Sequence, residues 1–395
     1  MTERIPRKLD NLLSRHRDGR VLVIYGPRRV GKTNLVVHSL GLNGQSEPVQ
    51  LSGKKILQAT GDDIDIVHIV SSRSLLQLKK WVQGYQVLFL DEAQKIPYVG
   101  EGLKLLIDAF PQLIIIATGS ASFSLAGQLG EPLTGRQTPL AMFPVSVGEM
   151  LTLHNAFEVQ KDFDDYLRFG MYPEVRCAES DEEKEEILTE LVSSYLLKDI
   201  LELDRVKSSR TLRDLLTLLA LQTGSEVSLN ELATNLRVDV KTVARYLDLF
   251  EKSYIIYSLQ GFSRNLRKEV SKSRKYYFYD TGVRNAVINN FNPMRLRDDK
   301  GALWENFVVM ERIKTLTYAH KTGTFYFWRT YDRKEIDLIE DRGGILHAYE
   351  IKYGEANARK AHAPADFTKA YPEAQFSVIS PDTLIDSLQR VATGA

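Results

Sequence analysis

The sequence predicts an α/β protein whose first part is a parallel sheet with helices on both faces. Three short apolar runs, at residues 21–26, 87–92 and 113–120, have the length and composition of buried parallel strands. Helical patterns lie between them, at residues 74–83 and 101–110. Because strands that alternate with helices form βαβ units, these observations indicate a parallel sheet that is covered on both sides.

The segments on either side of these runs are predicted to be mainly helical. Residues 1–20 lack the apolar core of a signal peptide and read as an amphipathic helix. Leu9, Leu12 and Leu13 have the spacing of its inward face. From residue 151 to about residue 222 the pattern is again helical, and the acidic first part of the segment 179–203 indicates a solvated helix start.

The composition is ordinary for a globular protein. The chain has 395 residues, of which 43% are hydrophobic and 26% charged, and its formal net charge is +1. Any affinity for nucleic acid must therefore come from a local patch. The single cysteine, Cys177, rules out an intrachain disulfide and favours a reducing compartment, so we expect a cytoplasmic protein. No apolar run reaches about 18 residues, and we expect no membrane partner.

The segment GPRRVGKT, at residues 26–33, fits the phosphate-binding pattern G-x-x-x-x-G-K-[ST]. It follows an apolar strand and precedes a helix that is predicted from Lys32 to about Leu40, which is the context that such a loop requires. We expect backbone amides to contact the phosphates of ATP, Lys32 to reach the β- and γ-phosphates, and Thr33 to bind Mg²⁺. The residues predicted to bind the nucleotide are Gly26, Pro27, Arg28, Arg29, Val30, Gly31, Lys32, Thr33 and Asn34.

The second apolar run delivers two carboxylates, Asp91 and Glu92, at its carboxyl end. Ligands of open α/β sheets bind at that end of the strands. We expect Asp91 to hold Mg²⁺ through water and Glu92 to polarise the attacking water as a general base. An acid pair can also merely end a strand, but its combination with the phosphate-binding loop favours the catalytic interpretation.

Two further residues are candidates for the same reaction. The third run ends in Thr118-Gly119-Ser120, and Ser120, or else Thr118, is the candidate that senses the γ-phosphate; a turn-forming role is the alternative. Arg136, in the segment LTGR, is the candidate arginine finger, which stabilises charge in the transition state. It would act within its own subunit or across an interface of a homo-oligomer, and a plain surface arginine is the alternative.

Residues 227–256 predict a helix-turn-helix followed by a strand. The helix LNELATNL is followed by a tight turn at residues 237–239 and by a second helix, VKTVARYLDLFEKS. The apolar residues with the spacing of a small core are Leu229, Leu232, Leu236, Val243, Leu247 and Phe250. The side chains expected to face outward on the second helix, where bases and phosphates of DNA can be met, are Lys241, Thr242, Arg245 and Tyr246.

A basic run follows at residues 264–275, with six Lys or Arg residues against one Glu. On a β-wing such a run would bind the phosphate backbone of DNA in a salt-dependent way, and Arg267, Lys268 and Lys272 are the candidate contacts. A solvated loop is the alternative. Winged-helix modules also serve as protein contacts or lids.

Four charged residues stand out near the carboxyl terminus. Glu305 lies in a helical segment, Asp337 in the strand-like EIDLIE, and Glu350 and Lys352 in HAYEIKY, with a predicted hairpin turn between these two segments. This is the layout of a D…E-x-K metal nuclease core, in which Asp337 and Glu350 would bind Mg²⁺. Lys352 would activate water or stabilise the developing phosphorane, and Glu305 would add a ligand or orient one. Glu335 is the alternative to Asp337, and a salt-bridged sheet edge is the alternative to the whole site.

The series GPRRVGKT, VLFLDEAQ, ATGSAS, LTGR, FPVSVGEM and YLRFGMYPEV resembles a family of small prokaryotic AAA-type ATPases with an uncharacterised, nuclease-like C-terminal domain. The resemblance covers nearly the whole chain. It implies that the arginine of LTGR, here Arg136, and the PEV segment at residues 173–175 are features of the ATPase module. The C-terminal arrangement likewise resembles the restriction-endonuclease-like fold, and the resemblance implies an α/β domain of that type.

We therefore expect an ATPase whose nucleotide state controls a DNA-binding module and a nuclease-like domain. One alternative is a nucleotide-gated interaction switch with an inert, partner-binding C-terminal module, and another is a DNA nuclease regulated by ATP. The expected organisation is a P-loop ATPase domain at residues 1–150, a helical lid at 151–222, a winged helix-turn-helix at 223–285 and a small nuclease-like α/β domain at 286–395.

Overall fold

A computed structural model describes residues 4–42, 51, 53–120, 132–196, 208–262, 274–330, 332 and 334–393. The chain divides into two compact units. The first unit consists of Pro6–Phe143 and the short segment Lys252–Tyr254. The second consists of Met1–Ile5, Pro144–Glu251 and Ile255–Ala395.

The first unit is built on a five-stranded parallel sheet with the strand order β2-β3-β4-β1-β5. Its strands are β1 (Val21–Tyr25), β2 (Ile56–Thr60), β3 (Val87–Asp91), β4 (Ile114–Gly119) and β5 (Gln137–Ala141). Its helices are α1 (Lys32–Ser39), α2 (Ile64–Ser71), α3 (Leu75–Val82) and α4 (Val99–Ala109), and short 3-10 turns lie at Leu12–Arg15 and Ala93–Lys95. The mixed α/β class and the parallel sheet are as predicted.

The apolar runs form the central strands because they bury both faces. Every residue of β4 is buried, and β1 and β3 are buried except at their last residues. Helix α4 covers the sheet with Leu103, Leu106 and Ile107. The carboxyl ends of the parallel strands meet at one edge of the sheet, and this edge carries the phosphate-binding segment and the acid pair.

The prediction of a helix over residues 1–20 is wrong. Among its described residues only the short turn Leu12–Arg15 is helical. Pro6 disfavours helical backbone at the residue before it, and the amide of Arg7 bonds the Asp10 carboxylate at 2.8 Å, which closes a turn instead. Leu9 and Leu12 are nevertheless buried, so the apolar spacing reported burial and not helix.

The second unit begins with short helices and continues through a helical pair. Its helices before residue 290 are α5 (Val147–Met150), α6 (Ala156–Lys161), α7 (Phe163–Phe169), α8 (Pro173–Cys177), α9 (Asp181–Glu190), α10 (Ser209–Leu221), α11 (Leu229–Leu236), α12 (Val240–Lys252) and α13 (Thr281–Val287). A π-helical turn, Leu191–Leu196, extends α9. The later helices are α14 (Lys300–Tyr318), α15 (Glu355–Ala358), α16 (Ala365–Ala370) and α17 (Leu384–Thr393), with a 3-10 turn at Met294–Leu296.

A seven-stranded sheet runs through the second unit in the order β12-β11-β10-β9-β7-β8-β6. Its strands are β6 (Glu226–Val227), β7 (Ile256–Gly261), β8 (Arg274–Phe278), β9 (Thr324–Arg329), β10 (Glu335–Arg342), β11 (Ile345–Ile351) and β12 (Gln375–Ile379). Strands β7 and β9 pair in parallel, so the hairpin that follows α12 continues into the C-terminal strands. The sheet therefore crosses the boundary that the sequence placed at residue 285.

The segment YLRFGMYPEV packs tightly against the start of α13. A Cβ atom on Gly170, whose φ is +71°, would lie 1.9 Å from an Asp280 carboxylate oxygen, so only glycine fits there. The same carboxylate accepts a bond from the Met171 amide at 2.6 Å, and the Asn285 amide group donates to the Leu167 carbonyl at 2.9 Å. The segment YLRFGMYPEV, one of the motifs on which the resemblance rests, therefore packs within the second unit.

The segment FPVSVGEM is anchored in a similar way by the long helix α14. The buried Glu311 carboxylate accepts a bond from the Val147 amide at 2.7 Å, at the start of α5. Lys314 pairs with Glu311 at 2.8 Å and donates to the Val145 carbonyl at 3.1 Å. Burial raises the pKa of Glu311, while Lys314 opposes that shift.

Within the described ranges, we find no helix that combines the length and the apolar character needed to cross a bilayer.

Candidate functional site

The phosphate-binding segment forms a loop between β1 and α1. Gly26 begins it with a φ of +150°, and a Cβ atom there would lie 2.0 Å from the Met142 carbonyl oxygen, so a side chain is excluded. Arg7 braces the loop: one terminal nitrogen donates to the Val30 carbonyl at 2.7 Å and the other to the Phe143 carbonyl at 2.6 Å. The remaining predicted residues follow the expected order, with Pro27, Arg28, Arg29 and Gly31 in the loop and Asn34 on the first turn of α1.

Lys32 lies at the start of α1 and turns back into the loop. Its side-chain nitrogen donates to the Gly26 carbonyl at 3.0 Å and to the Pro27 carbonyl at 2.6 Å. The residue is only 7% exposed. The ammonium group is therefore held beside the backbone of the loop, and its contact with the β- and γ-phosphates stays a prediction.

The Asp91 carboxylate accepts hydrogen bonds from hydroxyl groups on two other elements. The Thr33 hydroxyl donates to its carboxylate at 2.9 Å, and the Thr118 hydroxyl at the end of β4 also donates to it. Hydroxyl and carboxylate oxygens are the hard ligands that Mg²⁺ prefers, so Thr33 and Asp91 fit the ion of a Mg–nucleotide complex. The chain thus brings its predicted magnesium residues into direct contact.

Glu92 follows β3 with left-handed backbone, at a φ of +49°. Such a conformation is uncommon for a residue with a side chain and occurs often at functional sites. The Gln94 side chain donates to the Glu92 carboxylate at 2.7 Å, and its oxygen accepts the Ser120 amide at 3.2 Å. Gln94 therefore joins the predicted base to the predicted sensor segment. Gln94 lies two positions after Glu92 in the motif DEAQ, but its residue type does not mark it as functional.

Arg136 lies at the other end of the sheet. Its carbonyl accepts the amide of Val21, the first residue of β1, and β5 then runs parallel to β1 toward the loop. Five residues of β1 separate the two ends, which corresponds to about 16 Å at roughly 3.3 Å per residue. The guanidinium pairs with Asp108 on α4, and both side chains are half-exposed. Arg136 is therefore not brought to the phosphate-binding loop of its own chain.

The predicted helix pair forms as α11 and α12, with Arg237 in left-handed backbone between them. Lys241 and Arg245 are exposed on α12. Thr242 is half-buried, and its hydroxyl bonds the Asp239 carboxylate at 2.8 Å. The expectation that Tyr246 faces outward is wrong, because it is 3% exposed and lies on the apolar face of α12. Arg267, Lys268 and Lys272 lie outside the described residues.

The C-terminal charged residues lie on the same sheet face, as strand period predicts. The Lys352 ammonium is 2.6 Å from a Glu350 oxygen and 3.4 Å from an Asp337 oxygen. Asp337 also accepts the Ile351 amide at 2.8 Å. Lys352 therefore stands between the two carboxylates that the D…E-x-K pattern assigns to a metal ion.

Glu305, on α14, contacts residues of β8 and not Asp337 or Glu350. The Tyr277 hydroxyl donates to it at 2.6 Å, and the Lys275 ammonium is 3.2 Å away. Lys275 also pairs with Glu335, the alternative ligand. Burial raises the pKa of Glu305 to about 7, and Lys275 counteracts part of that rise. No group of three His, Cys, Asp or Glu side chains in the described ranges has the arrangement of a metal site. The predicted metal ligands do not fit a divalent ion here.

Three family models match successive parts of the chain, and one of them covers most of the first unit. Residues 18–151 match a family model described as an AAA domain, and this range contains the phosphate-binding loop and the acid pair. Residues 160–294 and 300–391 match two models, each described as a domain of unknown function (DUF8612 and DUF4143). Residues 18–151, which carry the phosphate-binding loop and the acid pair, are therefore similar to P-loop domains of the AAA type.

Over most of its length the chain is also similar to uncharacterised proteins. A protein of Mycobacterium tuberculosis is 29% identical over 338 residues, covering 84% of this chain and 70% of the relative. A protein of Haemophilus influenzae is 26% identical over 353 residues, covering 84% and 82%. A protein of Methanocaldococcus jannaschii is 23% identical over 354 residues, covering 84% and 75%.

Solved structures give weaker similarities. The Aeropyrum pernix ORC1 protein in complex with DNA matches at a TM-score of 0.35 and 14% identity, covering 72% of this chain and 88% of that one. The Saccharomyces cerevisiae Hsp104–ADP complex matches at a TM-score of 0.30 and 13% identity, covering 80% and 43%. The Thermotoga maritima DnaA domain III matches at 0.26 and 15%, covering 61% and 87%.

Proposed function

We propose that this protein is a cytoplasmic, Mg²⁺-dependent ATPase whose nucleotide state controls a DNA-binding winged helix in the second unit. The observation that carries the proposal is the contact between Thr33 and Asp91 beside a complete phosphate-binding loop. A loop lysine, a hydroxyl and a strand-end carboxylate in this order are the parts that P-loop hydrolysis requires. The C-terminal strands serve as a binding platform that responds to the same nucleotide state.

Hydrolysis is an in-line attack of water on the γ-phosphorus, which breaks its bond to the β–γ bridging oxygen. Lys32 neutralises charge on the β- and γ-phosphates, and Glu92 accepts the proton of the attacking water. Mg²⁺, held by Thr33 and Asp91, neutralises phosphate charge when bound. Gln94 holds the Glu92 carboxylate and so fixes its direction, while Ser120 or Thr118 senses the γ-phosphate.

Arg136 acts on the nucleotide of a neighbouring subunit in this proposal. Its place at the amino end of β5, away from its own loop, supports action across an interface and not within one chain. The pair with Asp108 holds the guanidinium at the surface, where a second copy can receive it. The proposal therefore includes a homo-oligomer with head-to-tail contacts.

We expect Lys32→Ala to weaken ATP binding about tenfold to a hundredfold, because a charged hydrogen-bonding group to the phosphates is lost. Titration calorimetry with Mg–ATP measures the change, and steady-state phosphate release measures turnover. Lys104→Ala, an exposed lysine of α4, is the matched control and should change neither quantity. Unchanged ATP affinity and turnover in folded Lys32→Ala protein would refute the nucleotide site.

The connectivity of α10 to β8 supports the winged helix. A helix, a short strand, two helices and a hairpin follow one another, and β6 pairs with β8 of the hairpin. The second helix of such a pair enters the major groove with its first turns. Lys241 and Arg245 are exposed there, and the sequence between β7 and β8 is rich in basic residues.

We expect the double variant Lys241→Ala/Arg245→Ala to lower DNA affinity and its salt dependence together. Each lost phosphate contact reduces the slope of log K against log salt by about 0.9, so two contacts give a loss of about 1.8. Fluorescence anisotropy with duplex DNA over a salt series measures both, with ATP and with ADP. Lys79→Ala/Lys80→Ala removes two exposed lysines of α3 and should leave the slope unchanged. Equal slopes for the two double variants would contradict the DNA proposal.

The competing proposal is not an enzyme but a nucleotide-gated interaction switch with little catalytic activity. It predicts ATP binding with negligible phosphate release, with or without DNA. Measured turnover therefore separates the two, because the ATPase proposal requires release that depends on Glu92. The third alternative, an ATP-regulated nuclease, requires metal-dependent DNA cleavage that is lost in Asp337→Ala and Lys352→Ala.

A further inference from the structure

Four carboxylates of the second unit form an acidic cluster, defined here as Glu305, Glu335, Asp337 and Glu350. Glu305 lies on α14, Glu335 and Asp337 on β10, and Glu350 on β11. Lys275 reaches this cluster from β8, on the hairpin that follows α12. Its side chain is only 3% exposed, so its charge is removed from water among these acids.

Lys275 bridges two members of the acidic cluster. Its ammonium is 3.2 Å from a Glu305 oxygen and forms an ion pair with Glu335. Burial lowers the pKa of Lys275, but Glu305 and Glu335 outweigh it and hold that pKa above its ordinary value. The side chain is therefore charged at neutral pH and is positioned by acids on two different elements.

The other two acids are occupied by Lys352. Its ammonium contacts oxygens of Glu350 and Asp337, and the Ile351 amide donates to the same Asp337 oxygen. Lys275 and Lys352 together thus contact every carboxylate of the acidic cluster. The acidic cluster and these two lysines therefore form a network of ion pairs that connects α14, β8, β10 and β11.

A divalent ion at this cluster would compete directly with these ammonium groups. Mg²⁺ and Mn²⁺ bind where several carboxylate oxygens converge on one point. Here the oxygens of Glu305 and Glu335 converge on the Lys275 nitrogen instead. Adding a metal beside a buried ammonium places like charges together at low dielectric, and moving Lys275 away breaks buried ion pairs, which is costly.

We propose that Lys275 is the resident cation of the acidic cluster, in the place that a divalent metal would otherwise take. The C-terminal part of the second unit then works without a bound metal. The cluster joins the hairpin to the C-terminal helix and strands, and its function is to fix these elements as one binding platform. Lys275 is not part of the D…E-x-K pattern, so the pattern alone does not predict this role.

The test is Mn²⁺ binding by the full-length, nucleotide-free protein, measured from the free-Mn²⁺ electron paramagnetic resonance signal. All variants carry Asp91→Asn, so that the ATP site does not contribute. The Asp91→Asn parent is expected to leave the free signal as in buffer. Adding Lys275→Met is expected to create a site that binds Mn²⁺ at least about tenfold more tightly than the parent. Adding Glu335→Gln to that variant removes one of the two carboxylates that Lys275 contacts and is expected to abolish the site.

Lys104→Met in the same background is the control for loss of a surface lysine and should behave as the parent does. Two results would overturn the proposal. One is Mn²⁺ binding by the parent that disappears on Asp337→Asn, and the other is no gain of binding in folded Lys275→Met protein. Circular dichroism establishes folding; should Lys275→Met not fold, the parent and its Asp337→Asn variant decide the question alone.

Discussion

Arg136→Ala is expected to lower ATP turnover about a thousandfold while ATP binding is retained. Arginine fingers contribute roughly 10³-fold or more because they stabilise charge that develops only in the transition state. The ground-state nucleotide is held by the loop and by Lys32, which the substitution does not touch. The expected signature is therefore a loss in kcat at nearly constant affinity, measured by phosphate release and by calorimetry.

The control for this variant lies in the same unit. Arg73 forms an exposed ion pair with Glu101 whose side chains have exposures close to those of Arg136 and Asp108. Exposed pairs of this kind contribute less than about 1 kcal/mol to stability, so neither alanine variant should unfold the protein. Arg73→Ala should keep full turnover. Equal turnover of Arg136→Ala and Arg73→Ala would eliminate the finger.

Mixing two inactive variants distinguishes action across an interface from action within a chain. Lys32→Ala subunits retain Arg136, and Arg136→Ala subunits retain a complete loop. In an equimolar head-to-tail assembly, about a quarter of the interfaces combine an intact loop with an intact arginine from its neighbour. Turnover should therefore recover to about a quarter of the wild-type value. No recovery in co-assembled mixtures would contradict the proposed geometry.

The parts of the nucleotide site that sequence could predict are those set by local spacing. Gly26 to Thr33 and the pair Asp91-Glu92 each lie within one short segment, and strand–loop–helix context fixes where they point. Arg7 and Gln94 could not be found in this way. Arg7 acts through contacts with Val30 and Phe143 that are distant in sequence, and Gln94 has no distinctive residue type.

Two structural predictions, the helix over residues 1–20 and the outward-facing Tyr246, are wrong because each sequence pattern is compatible with two structures. Leu9 and Leu12 are buried, but Pro6 and a turn closed by the Asp10 side chain prevent the helix that the leucine spacing suggested. Tyr246 has a hydroxyl and was assigned to the outer face of α12, yet its ring belongs to the apolar face. Burial of an amphipathic ring is decided by the neighbours that the fold supplies, which residue type alone does not reveal.

The acidic cluster shows the same limit at the level of tertiary structure. Strand period correctly placed Glu350 and Lys352 on one face, and the hairpin brought Asp337 beside them. Lys275 belongs to the basic run at residues 264–275, and nothing in that run indicates its contacts with acids of α14 and β10. Whether carboxylates hold a metal or a lysine depends on such distant contributions, so the D…E-x-K pattern could not decide between a nuclease and a platform.

Glu340→Ala is expected to destabilise the second unit by about 3–5 kcal/mol, because it leaves a buried guanidinium without its counter-charge. Glu340 is fully buried on β10 and receives two parallel bonds of 2.7 Å from Arg312 on α14. Arg312 also donates to the Tyr349 hydroxyl at 2.7 Å and to Ser387. One side chain thus ties α14 to β10, β11 and α17.

The loss of stability expected for Glu340→Ala is much larger than the loss expected when an exposed ion pair is broken. Glu355→Ala breaks an exposed pair with Arg359 and should cost less than about 0.5 kcal/mol. Trp304 and Trp328 lie in the second unit, so urea unfolding followed by their fluorescence in a Trp81→Phe background reports on that unit. Reporting on one unit matters because a protein of two units need not unfold in one step.

The double variant Arg312→Met/Glu340→Leu tests whether the unpaired charge of Arg312 causes the loss of stability in Glu340→Ala. If the cost of Glu340→Ala is the unpaired charge, replacing both partners with apolar side chains should restore most of the lost stability, since buried pairs are often neutral relative to hydrophobic residues. The hydroxyls of Tyr349 and Ser387 lose a partner in this variant, which retains a cost of about 1 kcal/mol each. A double variant as unstable as Glu340→Ala would show that packing around β10, and not the isolated charge, determines the loss.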